Sequence, residues 1–511
     1  MLRRLCLALC LIVCCLGLAS SAFALNHGTY LYHNGVYTSY STAQLAFNAA
    51  VPGDSVVLGP GLYHLEGSVK TTGRSGTASQ PITIRGDGTP KPIISMEGVK
   101  KAQLPMSHAP IVVNSNYIVV ENLEIKNTSQ TYGHFQNSSG IYTYAANYTT
   151  VRDVYIHDCG HGIYASDNCA NLTIENSEWC YNGYATDQMY HNAYINGGPN
   201  LVQYNTWHHC KAGLGYKDRS TYLQFLHNTV FRNGNYELDM MKGTGVQNAL
   251  VMGNVILKPG AGTNNDYQII AFTDRGGGTM TFTNNYVRAG SANNTFIHVG
   301  TAESCVANNN TFDNNGVAAV DIFYGNEGLS LTGTNNWGAT DSINRGSTVN
   351  WVLGTAPGVI DNLNGNFHLT SGSQCINAGS SSVSPLPDKE PVYPTSYVTR
   401  SISGNIDIGP YEYSASTGVA PLPSYGLTAT ALSATSVRLN WTNDSNLATG
   451  YRIERLSNDA VGFITAGTAG AGATTWTDTG CVTNTKYVYR VIAYSASGDG
   501  GHTNEVVITT P

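Results

Sequence analysis

Apolar residues recur through the middle of the chain in one short phrase. Each phrase has an apolar residue, a few polar residues that include an Asn or Asp, and then another apolar residue. Successive phrases are 23 to 31 residues apart, and such a period is typical of a solenoid whose coils each hold a few short strands. The eight phrases are centred on Asn122, Asp153, Asn176, Asn205, Asn228, Asn254, Asn285 and Asn310.

The alternation within each phrase predicts which way the side chains face. Successive residues of a strand point to opposite sides, so the Val, Ile, Leu and Trp positions are expected to fill the interior. The repeated Asn falls at a turn, where its amide can bond the equivalent Asn of the next coil. The Leu spacing is wrong for a leucine-rich repeat and no helix-period segments intervene. The pattern therefore predicts an all-β chain with a right-handed parallel β-helix.

Both ends of the predicted solenoid differ from the repeat. Residues 42–50 (TAQLAFNAA) are predicted to form a short amphipathic helix that covers the first coil. This helix and residues 75–86 resemble the N-terminal cap and first coil of pectate-lyase-like β-helix proteins. Residues 365–379 and 404–413 resemble the closing segment of secreted β-helix proteins. The resemblance places a β-helix domain at residues 25–414 and implies an activity of the polysaccharide lyase type, although many chemistries share this fold.

The chain changes character after the predicted β-helix. Residues 415–424 are rich in Ser, Gly, Pro and Ala, which is typical of a linker. Residues 425–511 contain short alternating strands, which favours an immunoglobulin-like sandwich. The spacing of Trp441, Tyr451 and Tyr489 resembles a fibronectin type III domain. That resemblance implies a spacer or adhesive support rather than a catalytic unit.

Residues 1–24 are predicted to be a secretory signal peptide. Arg3 and Arg4 precede a short apolar run, and Ala22-Phe23-Ala24 matches a small-x-small cleavage pattern. The run is too short and too early for a stable span, and no later stretch is long enough to cross a bilayer. We therefore expect a secreted or cell-surface protein without a membrane span.

Composition agrees with stacked strands and narrows the class of partner. Only 12% of residues are charged, whereas Gly (56) and Tyr (32) are frequent, which favours strands and tight turns over long helices. The net charge of −7 argues against nucleic acid as a partner. Seven scattered Cys follow the leader. We interpret them as buried thiols, with a Cys159–Cys180 disulfide as the alternative.

A cluster of charged residues marks one candidate site. Ligands of a β-helix bind on its outer face, where equivalent positions of successive coils line up. Lys217 lies 11 residues before Asn228, and the equivalent position one coil earlier is Tyr194. Residues two apart on a strand share a face, which groups Lys217 with Arg219, and Glu237 with Asp239 in the next coil. His191 and Asp187 lie just before this patch.

Such a patch suits β-elimination from a uronic-acid polymer. The reaction needs a positive group at the substrate carboxylate, a base for the C5 proton and an acid for the leaving oxygen. Lys217 is the predicted base, Arg219 the group that binds the carboxylate, and His191 or Tyr194 the acid. The resemblance to β-helix polysaccharide lyases, which often hold Ca²⁺ on carboxylates, implies Ca²⁺ as a cofactor. The predicted metal ligands are Glu237, Asp239 and Asp187, and the predicted substrate-binding residues are Tyr216, Tyr236 and Lys242.

The same patch carries a second resemblance. An HN-x-Y stretch, a Gly-rich coil with K-x-R and a coil with Y-E-x-D are similar to an uncharacterised group of secreted β-helix proteins. This resemblance marks a site without naming its reaction. The matching stretches are His191-Asn192-Ala193-Tyr194, Gly213-Leu214-Gly215-Tyr216-Lys217-Asp218-Arg219 and Tyr236-Glu237-Leu238-Asp239.

Three alternatives to a lyase remain open. The charges can form a salt-bridge ladder without function, because opposite charges on adjacent strands pair. A β-helix glycoside hydrolase or uronate epimerase can use the same patch. Gly160-His161-Gly162 occurs in β-helix hydrolases, but the Asp motifs that accompany it are missing in that order, so we interpret it as a turn. The third alternative is a non-catalytic adhesion protein. The expected partner is an acidic polysaccharide, and the expected oligomeric state is a monomer.

Overall fold

The computed structural model describes residues 25–65, 67–96, 109–126, 139–183, 188–241, 243, 245–258, 268–290, 294–317, 320–325, 331–340, 350–415, 418–457 and 462–511. An antiparallel hairpin of β1 (Thr29–His33) and β2 (Val36–Tyr40) comes first, and β1 also pairs with the first coil. The helix α1 (Ala43–Ala49) follows. In the part of the chain described here, no helix has the length and apolar character needed to cross a membrane.

Pairing between successive coils forms three rows of parallel strands, called here the first, second and third sheets, so the predicted parallel β-helix is confirmed. The first two sheets are joined by two long strands that belong to both. The first sheet contains β3 (Ser55–Leu58), β6 (Ile82–Gly86), β9 (Ile118–Lys126), β11 (Thr150–His157), β13 (Leu172–Glu175), β16 (Asn200–Gln203), β19 (Tyr222–Leu226), β22 (Asn248–Met252), β25 (Thr279–Thr283), β28 (Ser304–Asn308) and β31 (Leu331–Thr332).

The second sheet takes the ends of β9 and β11 and continues in separate short strands. These are β4 (Leu62–His64), β7 (Ile93–Ser95), β14 (Glu178–Cys180), β17 (Thr206–His208), β20 (Thr229–Phe231), β23 (Val255–Leu257), β26 (Tyr286–Arg288), β29 (Thr311–Asp313), β32 (Trp337–Ala339) and β33 (Val352–Gly354). The third sheet contains β5 (Val69–Lys70), β8 (Ile111–Val113), β10 (Ser139–Thr143), β12 (His161–Ala165), β15 (Ala193–Ile195), β18 (Tyr216–Asp218), β21 (Leu238–Met241), β24 (Gln268–Thr273), β27 (Thr295–Val299) and β30 (Asp321–Tyr324).

The interior of the solenoid is a single apolar core built from the inward residues of all three sheets. Trp179 and Trp207, which are paired in adjacent coils, stack with ring centroids 4.9 Å apart and are fully buried. At the N-terminal end, α1 buries Phe47 against this core, and the Thr42 side chain caps the helix by accepting the backbone N–H of Leu45. The predicted capping helix is therefore confirmed.

An asparagine ladder runs along the turn between the first and second sheets. Asn205 donates both its backbone N–H and its side-chain amide N–H to Oδ1 of Asn228, each at 3.0 Å. The amides thereby satisfy buried backbone groups at the turn, which would be costly to leave unpaired. Hydrogen bonds of the same kind connect Asn205, Asn228, Asn254, Asn285, Asn310 and Asn336.

The predicted repeat is misaligned by one residue in its first three coils. Asn122, Asp153 and Asn176 have left-handed backbones, with φ of 51°, 51° and 50°. The ladder position of the third coil is Ser177, whose backbone N–H donates to Oδ1 of Asn205. Asn and Asp tolerate the left-handed region. The same residue type therefore occurs at two adjacent positions of the turn, and the spacing alone does not separate them.

The coils end before residue 414, and the chain then folds back over the second sheet. Two antiparallel hairpins form this return segment: β34 (Val359–Asp361) with β35 (Asn366–Leu369), and β36 (Lys389–Val392) with β37 (Ser396–Thr399). Phe367 and Tyr411 pack with Phe231, Leu257 and Tyr286 of the outer face in an apolar cluster. This cluster covers the later coils of the second sheet.

The C-terminal residues form the predicted two-sheet sandwich. One sheet contains β38 (Tyr425–Ser433), β39 (Ser436–Thr442) and β42 (Thr475–Asp478). The other contains β40 (Gly450–Ser457), β41 (Ile464–Gly470), β43 (Lys486–Ser495), β44 (Gly498–His502) and β45 (Val506–Thr509). Trp441 and Tyr451 belong to the core between them.

The sandwich packs on the outer face of the second sheet through buried charges. Arg490 Nη1 is 2.9 Å from Glu124 Oε2, and Lys126 Nζ is 2.8 Å from Glu505 Oε2. All four side chains are at most 7% exposed. The domain expected to be a spacer or adhesive support is therefore held against the solenoid by buried ion pairs.

The seven described cysteines are all buried thiols without a disulfide. The preferred interpretation is confirmed, and the alternative Cys159–Cys180 bridge does not form.

Candidate active site

One outward-facing row of the third sheet holds the candidate site. Strand pairing places Tyr142, Tyr164, Tyr194, Lys217 and Asp239 side by side in consecutive coils. Neighbours on either side of these residues in each strand are buried, as alternation requires. The predicted register of Tyr194 with Lys217 is confirmed. Three aromatic rings thus lead along the solenoid axis to a charged pair.

Lys217 and Asp239 form an ion pair in this row. Lys217 Nζ is 3.2 Å from Asp239 Oδ2, and the side chains are 16% and 2% exposed. Burial raises the pKa of Asp239, and the charges of Lys217 and Arg219 oppose that rise. The second carboxylate oxygen, Oδ1, is buried and has no hydrogen-bond partner among the described residues. Asp239 therefore holds the Lys217 amine at one position on the outer face.

Tyr194 lies beside both cationic groups. Lys217 Nζ is 5.7 Å and Arg219 Cζ is 5.1 Å from the centroid of its ring, within the range of a cation–π contact. Burial raises the pKa of Tyr194, and Arg219 opposes the rise. The phenol is consequently protonated at neutral pH and able to donate a proton. An amine, a guanidinium and a phenol therefore converge on one surface.

His191 lies behind this surface and is 3% exposed. Its Nδ1 accepts the backbone N–H of Leu214 at 3.1 Å. Burial, followed by the positive charges of His161 and Lys217, lowers the pKa of His191 well below its ordinary value. The imidazole is therefore neutral, and its ring packs edge-on to Tyr194 with centroids 5.5 Å apart. This geometry favours Tyr194 over His191 as the acid and gives His191 a supporting role.

The Gly160-His161-Gly162 motif is not a turn, so that interpretation is wrong. His161 begins β12, and its Nδ1 accepts the backbone N–H of His191 at 3.1 Å. A Cβ on Gly162 would lie 2.4 Å from the carbonyl oxygen of Asn192, so only glycine fits there. The His161 ring is 5.8 Å from that of Tyr194. Sequence reasoning noticed this motif but missed its place behind the site.

Tyr216 is wrongly predicted to bind substrate. The ring is fully buried inside the solenoid, where it contacts Trp207 and Phe225. Because Lys217 faces outward, its strand neighbours must face inward. Asp218 points inward for the same reason and pairs there with Arg275 at 3.0 Å.

Glu237 is part of the interior rather than a metal ligand. It is fully buried, and its Oε2 accepts the side-chain amide N–H of Asn233 at 2.5 Å. The Asn233 Oδ1 in turn accepts from Asn192, so Glu237 ends a second amide ladder. Lys258 Nζ lies 3.7 Å from Glu237 Oε1. Burial raises the pKa of Glu237 to about 7, and Lys258 opposes the rise.

The residues present do not fit a calcium ion at the predicted position. Ca²⁺ takes six to eight oxygen ligands, whereas Glu237 and Asp239 each already face a lysine ammonium. Neither carboxylate belongs to a group of three potential metal ligands within the described residues. Asp187 and Lys242 lie outside the described residues. Tyr236 is partly exposed in the turn before β21, and its role stays a prediction.

An outward aromatic row that ends in a charged pair thus lies on one face of a parallel β-helix. Residues 27–196 match the family model described as Pel9A-like, right handed beta helix region, and residues 420–510 match the fibronectin type III domain. The chain thus combines a parallel β-helix whose first part matches the Pel9A-like family with a C-terminal fibronectin type III domain. The first match ends at residue 196, so it includes His191 and Tyr194 but not Lys217.

The solved structures that match the chain include two lyases. Pectate lyase Pel9A is 15% identical, with a TM-score of 0.48, over 74% of this chain and 92% of that chain. The alginate lyase from Paenibacillus sp. str. FPU-7 is 18% identical, with a TM-score of 0.41, over 57% and 94%. The FN5 domain of Drosophila Lar is 26% identical, with a TM-score of 0.16, over 18% and 97%. No curated protein matches the chain.

Proposed function

We propose that this protein is a polysaccharide lyase that cleaves an acidic glycan by β-elimination at the Tyr194–Lys217–Asp239 row. The observation that carries the proposal is the convergence of an amine, a guanidinium and a protonated phenol on one outward surface. The Pel9A-like family match over the first half of the solenoid supports the same class of activity. The match does not extend to Lys217, so the roles below rest on the site geometry.

Each group has one role in the proposed reaction. Arg219 binds the C6 carboxylate of a uronate and neutralises the negative charge of that carboxylate, which makes the C5 proton more acidic. Lys217 Nζ takes that proton. The electron pair left on C5 forms the C4–C5 double bond as the C4–O4 bond breaks. Tyr194 donates its phenolic proton to the departing O4. Asp239 stabilises the ammonium that forms on Lys217, because it is only 3.2 Å away.

The tyrosine row supplies a path for the polymer. Tyr142 and Tyr164 have ring centroids 5.6 Å apart, and Tyr164 and Tyr194 are 5.3 Å apart. Coils repeat about every 4.8 Å, so successive rings recur at intervals close to the length of one sugar residue. Sugar rings pack on aromatic faces. We propose that the chain lies along the solenoid axis with its scissile bond over Lys217.

The positive charge at the substrate carboxylate comes from Arg219 in this proposal rather than from Ca²⁺. Asp239 is paired with Lys217, and Glu237 is enclosed in the interior. Chelation is therefore expected to leave the rate unchanged. Export through the predicted signal peptide and action as a monomer remain proposals, and both agree with a polymer substrate outside the cell.

The test is the ultraviolet absorbance of an unsaturated uronate on a panel of acidic and neutral glycans. Wild-type protein is expected to generate it on an acidic glycan, with or without a chelator. Lys217→Met is expected to lower kcat by about 10²- to 10⁴-fold, the usual contribution of a general base. Tyr194→Phe should lower kcat with little change in KM, because the ring stays in place.

Lys91→Met is the matched control. Lys91 also pairs with an aspartate, Asp153, at 2.5 Å, but at a different corner of the solenoid. It should retain wild-type activity. New reducing ends without the absorbance would show that the protein is a hydrolase and not a lyase. Tight binding without turnover on every glycan would show that the protein is a non-catalytic carbohydrate-binding protein.

A further inference from the structure

A second cluster of chemically reactive side chains lies between the solenoid and the C-terminal domain. Glu178 and Cys180 are two apart on β14, so both face outward. His208 is paired with Cys180 in the next coil. His502, at the end of β44, approaches the same place from the fibronectin type III domain. The cluster therefore joins two coils and two domains.

Three of these side chains converge closely, and His502 approaches the carboxylate of one of them. His208 Nε2 is 3.0 Å from Glu178 Oε1, and His502 Nδ1 is 3.6 Å from Glu178 Oε2. The ligand atoms of Glu178, Cys180 and His208 all lie within 4.8 Å of one another. Cys180 and His208 are fully buried, and Glu178 is 8% exposed. A thiol, a carboxylate and one imidazole thus surround one small volume, and a second imidazole reaches the carboxylate from the other domain.

Two features distinguish this cluster from an ordinary ion-pair network. No Lys or Arg of the described residues forms an ion pair with Glu178, whose only such partners are His208 and His502. The Nδ1 atom of His502 is buried without a hydrogen-bond partner in the described part of the chain. Among the described residues, Glu178 therefore has no permanently charged cation beside it, and one imidazole nitrogen near it has no hydrogen bond.

The neighbouring cluster shows the contrast. Glu124, His157 and Glu505 are also within reach of one another. However, Arg490 is 2.9 Å from Glu124, and Lys126 is 2.8 Å from Glu505. These cations already neutralise the carboxylates and would repel a metal ion. A cation is therefore missing from only one of the two clusters.

We propose that Glu178, Cys180, His208 and His502 bind one Zn²⁺ ion that fastens the fibronectin type III domain to the β-helix. Zn²⁺ prefers four ligands drawn from Cys sulfur, His nitrogen and carboxylate oxygen in a tetrahedral arrangement. Cys180 loses its thiol proton to solvent when the thiolate binds the metal. His208 Nδ1 is 2.8 Å from His209 Nδ1, and such a hydrogen bond holds a ligand ring in orientation.

The experiment uses the full-length protein after chelator treatment and dialysis, titrated with Zn²⁺ and with Co²⁺ as a spectroscopic substitute. One Zn²⁺ per chain is expected by elemental mass spectrometry. Co²⁺ is expected to give an intense thiolate-to-metal charge-transfer band with tetrahedral ligand-field bands. Added Zn²⁺ should raise the unfolding midpoint in a concentration-dependent manner, because it binds only the folded state. A substoichiometric metal content, or Co²⁺ spectra without the thiolate band, would overturn the proposal.

Variants locate the ligands. Cys180→Ser should lose the thiolate band and bind Zn²⁺ at least about tenfold more weakly. Cys210→Ser, which removes another buried thiol outside the cluster, should keep both properties. His502→Ala should weaken binding while leaving the thiolate band, because only the domain-bridging ligand is lost. If His502→Ala binds Zn²⁺ as tightly as the wild type, the metal does not fasten the domains.

Discussion

Removal of the Arg490 guanidinium tests whether the two domains are held together by buried charge. Arg490 Nη1 is 2.9 Å from Glu124 Oε2 across the interface, and Nε is 2.7 Å from Glu454 Oε2 within its own domain. The guanidinium carbon is also 3.9 Å from the centroid of the Phe463 ring. Arg490→Met keeps an unbranched apolar stem and removes the charge together with the guanidinium hydrogen bonds.

The expected loss of unfolding free energy follows from the charges that remain around Glu124 when Arg490 is replaced. Burial alone would raise the pKa of Glu124, but Arg490 and His157 hold it well below its ordinary value. Without Arg490, this carboxylate, which is 5% exposed, keeps only part of the positive charge that balances it. Breaking a buried pair by removal of one partner costs about 3–5 kcal/mol. We expect Arg490→Met to lower the free energy of unfolding by an amount in this range.

The assay is urea unfolding of the full-length chain in a double-mutant cycle with Glu124→Gln. The cycle cancels the loss of the Glu454 contact, which both Arg490→Met proteins share. A coupling free energy of about 2 kcal/mol between positions 124 and 490 is expected for a direct buried contact. A coupling below about 0.5 kcal/mol would mean that the domains are not joined by this pair.

Three further predictions concern single residues. Glu237 has a folded-state pKa raised to about 7, so the stability it confers is fully present below its unfolded pKa and is lost as pH rises through 7. The loss is about 3 kcal/mol. The free energy of unfolding of Glu237→Gln, measured between its unfolded pKa and about pH 7, should not show this decrease. Asn254→Ala removes a side-chain amide that donates hydrogen bonds to Phe225 O and Asn285 Oδ1, each at 2.8 Å. This substitution should lower the free energy of unfolding by about 3 kcal/mol or more. A loss below about 1 kcal/mol would contradict the stabilising role of the ladder. Tyr216→Phe removes a buried hydroxyl without a partner in the described residues, and should leave kcat, KM and stability unchanged.

Local repeats in the sequence were sufficient to predict the solenoid and part of its site. The period placed Tyr194 and Lys217 in register, because every coil must return to the same sheet. It also located Asn205 and Asn228 in one ladder. Such contacts join residues of successive coils, so the spacing of the repeat in the sequence predicts them directly.

Other site residues were misplaced because a strand has two faces and turns interrupt the alternation. The clustering of functional residue types predicts Tyr216 and Lys217 on one surface, although adjacent strand residues point in opposite directions. Glu237 was grouped with Asp239 by a spacing of two. It precedes β21, however, and its side chain enters the interior to meet Asn233.

The packing of the C-terminal domain had no signal in the sequence. Glu124 and Arg490 are separated by 366 positions, and each looks like an ordinary surface charge in its own strand. Their pairing depends on how the return segment passes over the second sheet. Predicting that contact requires the orientation of two domains, which no local pattern encodes.

The central claim is that Lys217 removes a proton so that the glycosidic bond breaks without water. Mass spectrometry of the products from an acidic glycan tests this most directly, because an elimination product lacks one water molecule at its new non-reducing end compared with a hydrolysis product. We predict that wild-type protein and Lys91→Met release this unsaturated product, and that Lys217→Met does not. Products that carry the added water, or an unsaturated product formed equally well by Lys217→Met, would contradict the account.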